Sequence, residues 1–305
     1  MYQYIIRRLL LAIPVLIGIS LFSFLLVHIS GDPTDIILPP DVTEEARQAF
    51  REKFGLDKSL WVQYYRFCLQ IVKGNFGTSL RFEQPASALV LERLGATTEL
   101  AFTAMALAVV FGIPAGVIAA YRQKTPIDSI VRGFTLIGQA VPTFYLGILC
   151  IVILAVWLRL FPPGGRGNWQ NLVLPAVSLA SHLVALIARI TRSCMLDVLR
   201  QEYIRTARAK GLHERIVIYS HALRNALIPV VTVIGLQIGL LMGGVVVTET
   251  VFAWPGVGRL AIQAIYARDF PVVQAVVFLS ATIFVLVNLI VDLLYAFIDP
   301  RIRYQ

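Results

Sequence analysis

Apolar residues fall into long runs separated by stretches where charge collects. The runs read as residues 9 to 29, 97 to 121, 133 to 158, 172 to 190, 226 to 250 and 272 to 298. Crossing the hydrocarbon core takes roughly 20 helical residues, and no run carries Lys or Arg in its middle. The pattern predicts an all-α polytopic membrane protein with six transmembrane helices. The first run follows Arg7 and Arg8. A cleaved signal peptide is its rival reading, but a signal's apolar region is typically about 7 to 15 residues and ends at a small-residue site. Residues 1–30 are therefore read as a retained first helix.

Between the runs, two stretches carry a helical period. Residues 31–95 form a loop in which Thr43 can cap a helix bearing Ala46, Phe50 and Phe54. Ser59 can cap another, whose Leu60, Tyr64, Phe67 and Ile71 share a face and whose Trp61 and Tyr65 suit a membrane interface. That loop reads either as an amphipathic segment on the membrane or as a docking surface for an external protein. Residues 195–229 form the second stretch, within a core of five helices over residues 96–298. Leu196, Leu199, Tyr203 and Ala207 recur at spacings of three, four and four, so they share one helical face, with Arg200, Arg205, Arg208 and Lys210 outside it. Gly211 stops that helix, and a second apolar face follows at Leu212, Ile216, Tyr219, Leu223 and Leu227.

Breakers inside the runs predict bends. Gly112-Ile113-Pro114-Ala115-Gly116 should bend the second run, Pro142 the third and Pro175 the fourth. Gly235, Gly239 and Gly243, spaced by four and followed by Gly244, predict close approach of another helix to the fifth. Gln139 and Gln237 read either as lining a polar path or as bonding between helices.

Composition agrees with a bilayer: 57% of residues are hydrophobic, 15% are charged, and the mean hydropathy is +0.74. The net charge of +9 follows membrane topology, which removes nucleic acid as its explanation. With both termini and the tail 299–305 placed in the cytoplasm, 15 Lys and Arg lie inside and 12 outside. Eight of the 12 belong to the long loop 31–95, which also holds nine acids and counts little in orienting the chain. Short loops decide the orientation. Cys68, Cys150 and Cys194 lie far apart with no metal-ligand spacing.

Catalytic patterns are sparse. The sequence has no GxxxxGK[ST] phosphate loop, no HExxH and no GxSxG. Ser178 or Ser181 with His182 leaves an intramembrane Ser-His protease open, and Asn288 with Asp292 leaves a stand-alone secondary transporter open.

Tyr203-Ile204-Arg205-Thr206-Ala207-Arg208-Ala209-Lys210-Gly211, followed by His221-Ala222-Leu223-Arg224-Asn225-Ala226-Leu227-Ile228-Pro229, resembles the cytoplasmic coupling loop of ABC importer permeases. Arg205-Thr206 stand where the general loop has Glu-Ala, and the version in the branch serving dipeptides, oligopeptides, glutathione and nickel is similar to this one. Gly31-Asp32-Pro33, Phe54-Gly55-Leu56, Gly74-Asn75-Phe76-Gly77, Phe252-Ala253-Trp254-Pro255-Gly256-Val257-Gly258 and Asp299-Pro300-Arg301 extend the resemblance along the chain. It implies a type I importer transmembrane domain in a bacterial inner membrane, forming half of a translocation pathway. The other half would be a homologous permease. It further implies no cofactor in this chain, with ATP and Mg held by two separate ATPase subunits, and an extracytoplasmic binding protein that delivers cargo. The residues expected to meet the ATPases are Tyr203, Arg205, Thr206, Ala207, Arg208, Lys210, Gly211 and Leu212.

Overall fold

The computed structural model describes residues 2–29, 42–54, 57–243 and 245–298. Gly31-Asp32-Pro33, Gly55-Leu56, Gly244, the tail 299–305 and the side chains of Phe50, Phe54 and Asp292 lie outside the described residues. Helices make up the architecture, and a lone bridge between Thr78 and Pro85 is the extended pairing among the described residues. In chain order they are α1 (Tyr2–Ile29), α2 (Glu44–Phe54), α3 (Leu60–Val72), α4 (Ala86–Tyr121), α5 (Pro126–Ala140) and α6 (Thr143–Trp157). Then follow α7 (Trp169–Leu199), α8 (Glu202–Ala209), α9 (Glu214–Met242), α10 (Val246–Val251), α11 (Val257–Tyr266) and α12 (Phe270–Ile298). Among the described residues five helices are long and apolar enough to span, or six spans if the pair α5–α6 counts as one.

One of the expected bends, at Pro142, is a full break, and the Gly112–Gly116 segment lies inside a continuous helix. Pro142 does more than bend the third span. With Val141 it separates α5 from α6, whose axes differ by 98°. The residue before a proline is pushed out of the helical region, and Val141 is extended at φ −80°, ψ 123°. The Gly112–Gly116 segment, in contrast, breaks nothing: α4 runs through Pro114 for 36 residues, about 54 Å at 1.5 Å per residue. Its glycines serve contact. A Cβ at Gly116 would sit 2.6 Å from the Ala188 carbonyl oxygen and from Thr191 Cβ, and one at Gly112 would sit 3.0 Å from Ile187. Those two positions let α4 and α7 form the most extensive helix contact in the molecule. Pro175 lies within an unbroken α7.

The spans also shift. α4 begins at Ala86, eleven residues before the expected start at 97, and α7 extends to Leu199 instead of ending at 190. The fifth span is displaced most. Helix α9 enters at Glu214 and ends at Met242, so residues 246 to 250, expected inside it, belong to the separate short helix α10.

Three apolar clusters stack along α4. The central one joins Leu100, Ala104 and Met105 to Leu183 and Ile187 of α7, Val230 of α9 and Trp254. Near the start of α4, Leu89 and Val90 pack with Val257 and Leu260 of α11 and Val272 of α12. Near its end, Val117 and Ala120 pack with Met195, α8 and the first turns of α9. Outside this stack, α3 leans on α1 through the Ser20 and Tyr64 hydroxyls, 2.8 Å apart, and through Phe24 against Tyr64 and Phe67. Thr43 accepts from the Ala46 amide as expected of a cap, while Ser59 occupies the cap position of α3 without a side-chain bond.

Candidate functional site

The stretch between α7 and α9 is built by two interruptions that the periodicity did not show. Gln201 is extended at φ −73°, ψ 148°, so α7 stops at Leu199 and α8 starts afresh at Glu202. The expected face through Leu199, Tyr203 and Ala207 is therefore out of register. Ile204 and Ala207 are the buried residues of α8, against Met195 and Val217, while Tyr203 is 41% exposed. Farther on, residues 217–223 are π-helical, with more residues per turn, which re-aims the next face. Val217, Ile218, Ala222 and Ala226 are buried in place of Leu212, Ile216 and Tyr219, which are exposed.

The glycine stop forms as expected. Gly211 has φ +75°, the Leu212 amide donates to the Ala207 carbonyl, and the Gly211 amide donates to the Arg208 carbonyl. Together these bonds are a Schellman motif, which satisfies carbonyls left open at the helix end. Arg208 then crosses the turn and donates to Glu214 in a two-pronged pair, 2.8 and 3.3 Å, and donating to that carboxylate raises the Arg208 pKa. Arg205 pairs with Glu202 at 2.7 Å, and the Thr206 hydroxyl donates to the Glu202 carbonyl. Asn225 donates to the Tyr203 hydroxyl at 2.8 Å, tying α8 to α9. Tyr203, Arg205, Thr206, Arg208, Lys210, Gly211 and Leu212 are exposed, and of the expected contact set Ala207 alone turns inward.

Beside this segment lies an ion pair that sequence reasoning missed. Asp128, 1% exposed at the start of α5, accepts two bonds from Arg192 of α7 at 2.7 and 2.9 Å. It also accepts from the Lys124 amide and lies 3.5 Å from Arg132. The partners are 64 residues apart, and the one local hint was an acid three positions after Thr125, in the first turn of a helix opened by Pro126. The pair locks the turn between α4 and α5 to the end of α7, just before α8.

The other expected positions are dispersed. Gly235 and Gly239 face α12, where a Cβ would clash with Val291 and come within 3.0 Å of Asn288 Oδ1. Their partner is thus the sixth span of the same chain. Gly243, beyond the end of α9, is exposed, a Cβ built there would meet the Leu240 carbonyl oxygen of the same helix at 3.3 Å, and Gln237 is half-buried. Gln139, at the end of α5, has a buried Nε2 without a hydrogen-bond partner. The Ser178 hydroxyl donates to the Thr143 carbonyl and the Ser181 hydroxyl to the Ser178 carbonyl, so neither serine is bonded to His182.

At the opposite end of α4 sits a second polar site, also missed. Glu249 of α10 is 0% exposed; it accepts from the Thr97 hydroxyl at 2.7 Å and from the Arg259 amide at 2.9 Å. The Thr97 oxygen in turn accepts from the Val257 amide. Burial raises the Glu249 pKa, opposed by the bonds from Thr97 and the amides of Arg259 and Gly258. The carboxylate thus occupies the N-terminus of α11 from inside the protein, beneath a Gly256 that no side chain could replace without striking it.

Residues 112–304 match the family model described as binding-protein-dependent transport system inner membrane component, and residues 1–101 match the model of its N-terminal part. The dipeptide transport system permease protein DppB of Alkalihalophilus pseudofirmus is 42% identical over 333 aligned positions. The oligopeptide transport system permease protein AppB of Bacillus subtilis is 43% identical over 316, and the glutathione transport system permease protein GsiC of Escherichia coli 42% over 307. Each of these alignments covers the whole of both chains. Among solved structures, a membrane chain of "Inward facing conformations of the MetNI methionine ABC transporter" superposes with a TM-score of 0.57 at 19% identity. That match covers 69% of this chain and 96% of the other, a likeness of fold.

Proposed function

Because the chain belongs to the binding-protein-dependent transport system inner membrane components, we propose that α8 and its Schellman turn are the contact through which separate ATPase subunits move the translocation pathway. The supporting observation is the two-sidedness of α8. Ile204 and Ala207 anchor it on the ends of α4, α7 and α9, leaving Tyr203, Arg205, Thr206, Arg208 and Lys210 outward. A partner pushing on the outward face would move three long helices at once.

The cargo proposed is a short peptide, dipeptide to oligopeptide or glutathione, on the strength of the full-length relatives. A homologous second permease would complete the pathway, and a binding protein would deliver the cargo from outside. The charge of the short loops supports a cytoplasmic position for both termini and α8. ATP and Mg would belong to the partner subunits.

The test is ATPase activity of the reconstituted complex, with and without loaded binding protein. Arg205→Glu on the outward face should leave the chain inserted and reduce stimulation at least severalfold. Undiminished stimulation in Arg205→Glu and in Tyr203→Ala would remove α8 as the contact.

A further inference from the structure

Around the start of α4, opposite α8, three arginines gather without an acid. Arg81, Arg93 and Arg259 line a half-open pocket of about 260 Å³ whose remaining walls include Gln263, Phe82 and Leu260. They come from three places in the chain: the turn before α4, the second turn of α4 and the first turn of α11. Among the described residues none of the three forms an ion pair, although Arg47, Arg132, Arg166, Arg192, Arg205 and Arg208 all do. Arg81 lies 5.5 Å from the Phe82 ring, and Arg259 donates to the Ala253 carbonyl. The Arg81 amide donates to the buried Asp269 at 3.3 Å, and Glu249 lies behind the pocket wall under Gly256, with its oxygens already taken by Thr97 and the start of α11.

Three guanidiniums brought together cost electrostatic energy unless an anion joins them, and the fork geometry of arginine suits a carboxylate best. Leu260, which lines the pocket, is 3% exposed and belongs to the apolar cluster beneath it. The pocket's place is equally telling. Arg93 precedes Val117, which packs with the α8 cluster, by 24 helical residues, about 36 Å along α4 and more than the thickness of a hydrocarbon core. The pocket therefore lies beyond the spans on the side away from α8, where an extracytoplasmic binding protein would arrive.

We infer that the Arg81–Arg93–Arg259 pocket is a docking socket that takes an acidic side chain, Asp or Glu, from the extracytoplasmic binding protein. This inference rests on the proposed function. Its force is electrostatic, so it sets the binding protein's half-saturating concentration and leaves the turnover of the docked complex alone.

The experiment uses the whole complex, both permeases and both ATPases in lipid nanodiscs, titrated with the binding protein of the same transport system. Arg93→Gln should raise the half-saturating concentration about three- to tenfold with unchanged maximal ATPase rate, and Arg93→Glu should raise it further. Arg93→Lys should restore most of the loss, and the salt dependence of docking should flatten in Arg93→Gln. Basal ATPase activity reports that each variant is assembled. Equal half-saturating concentrations in wild type, Arg93→Gln and Arg259→Gln would overturn the socket while leaving the transport reading intact. A wild-type complex that the binding protein never stimulates would instead remove the transport reading. Arginine-dependent binding of dipeptide alone, without binding protein, would identify the socket as a cargo site and overturn the docking assignment.

Discussion

Two connections between spans sit at opposite ends of α4 and are held in opposite ways. Residues 200–213 lie on an apolar cluster, with their charges outside and Arg205 and Arg208 paired to Glu202 and Glu214 across the surface. Residues 245–256 bury their charge: Glu249 is wholly enclosed and organises the start of α11, and Phe252 and Trp254 are 1% exposed beside it. Trp254 also donates its indole N–H to the Ala96 carbonyl at 2.8 Å. A connection closed by a buried carboxylate resists displacement, because moving it strands polar groups in a dry interior. One resting on apolar contacts with an outward polar face can be pushed as a unit. The contrast suits rigidity at one end and, on the function proposed above, transmission at the other.

The largest effect expected from breaking this contrast is at Glu249. Glu249→Ala removes an acceptor from the Thr97 hydroxyl and the Arg259 amide, and should destabilise the chain by about 3 kcal/mol or more. Glu249→Gln keeps the volume and one acceptor oxygen and should lose less. Thermal unfolding of the purified chain in detergent checks both. Equal stability of wild type and Glu249→Ala would mean that the connection between α9 and α11 is not held by this carboxylate.

Gly211 comes next and should separate stability from transmission. Its φ of +75° suits glycine, tolerates asparagine and resists a β-branched residue. Nothing lies within 4 Å of a Cβ built there, so any penalty is conformational and not steric crowding. Gly211→Val should cost about 1–3 kcal/mol locally and impair binding-protein stimulation of the ATPases, whereas Gly211→Asn should retain most of it. Similar stimulation in the two variants would show that the turn does not position the contact.

Legibility from sequence followed the range of the interactions. Gly211 was readable because a left-handed stop needs one residue and leaves a local mark, and Gly235 and Gly239 were readable from a four-residue period. The break at Gln201 was not, since no glycine or proline marks it and the apolar spacing continues across it. The π-helical residues 217–223 likewise hide in a sequence that fits an ordinary helix period, so Ile216 and Tyr219 were assigned inward and point outward. Asp128–Arg192 and Glu249–Thr97 bridge 64 and 152 residues, and such pairings leave no local pattern. Ala207 belongs both to the apolar face read from the spacing and to the residues expected to meet the ATPases. Its 7% exposure shows that a bulky side chain there would lift α8 from its own cluster.

The smallest expected effect concerns the pair that bridges the Schellman turn. Arg208 and Glu214 are 42% and 35% exposed, so solvent screens their attraction, and breaking it should cost less than about 1 kcal/mol. Stability cannot reveal much about this pair, but the two halves of it can be removed separately. Glu214→Gln frees the Arg208 guanidinium, while Arg208→Ala removes it. If the pair only braces the turn, both substitutions weaken the same bond and should reduce binding-protein stimulation of the ATPases alike. If Arg208 is part of the outward face that meets the ATPases, Glu214→Gln should retain stimulation and Arg208→Ala should lose a substantial part of it. The second outcome is expected, because the Gly211 and Leu212 amides already close the turn with backbone bonds of their own. A matched loss in both variants would return Arg208 to a bracing role and confine the contact to Tyr203, Arg205, Thr206 and Lys210.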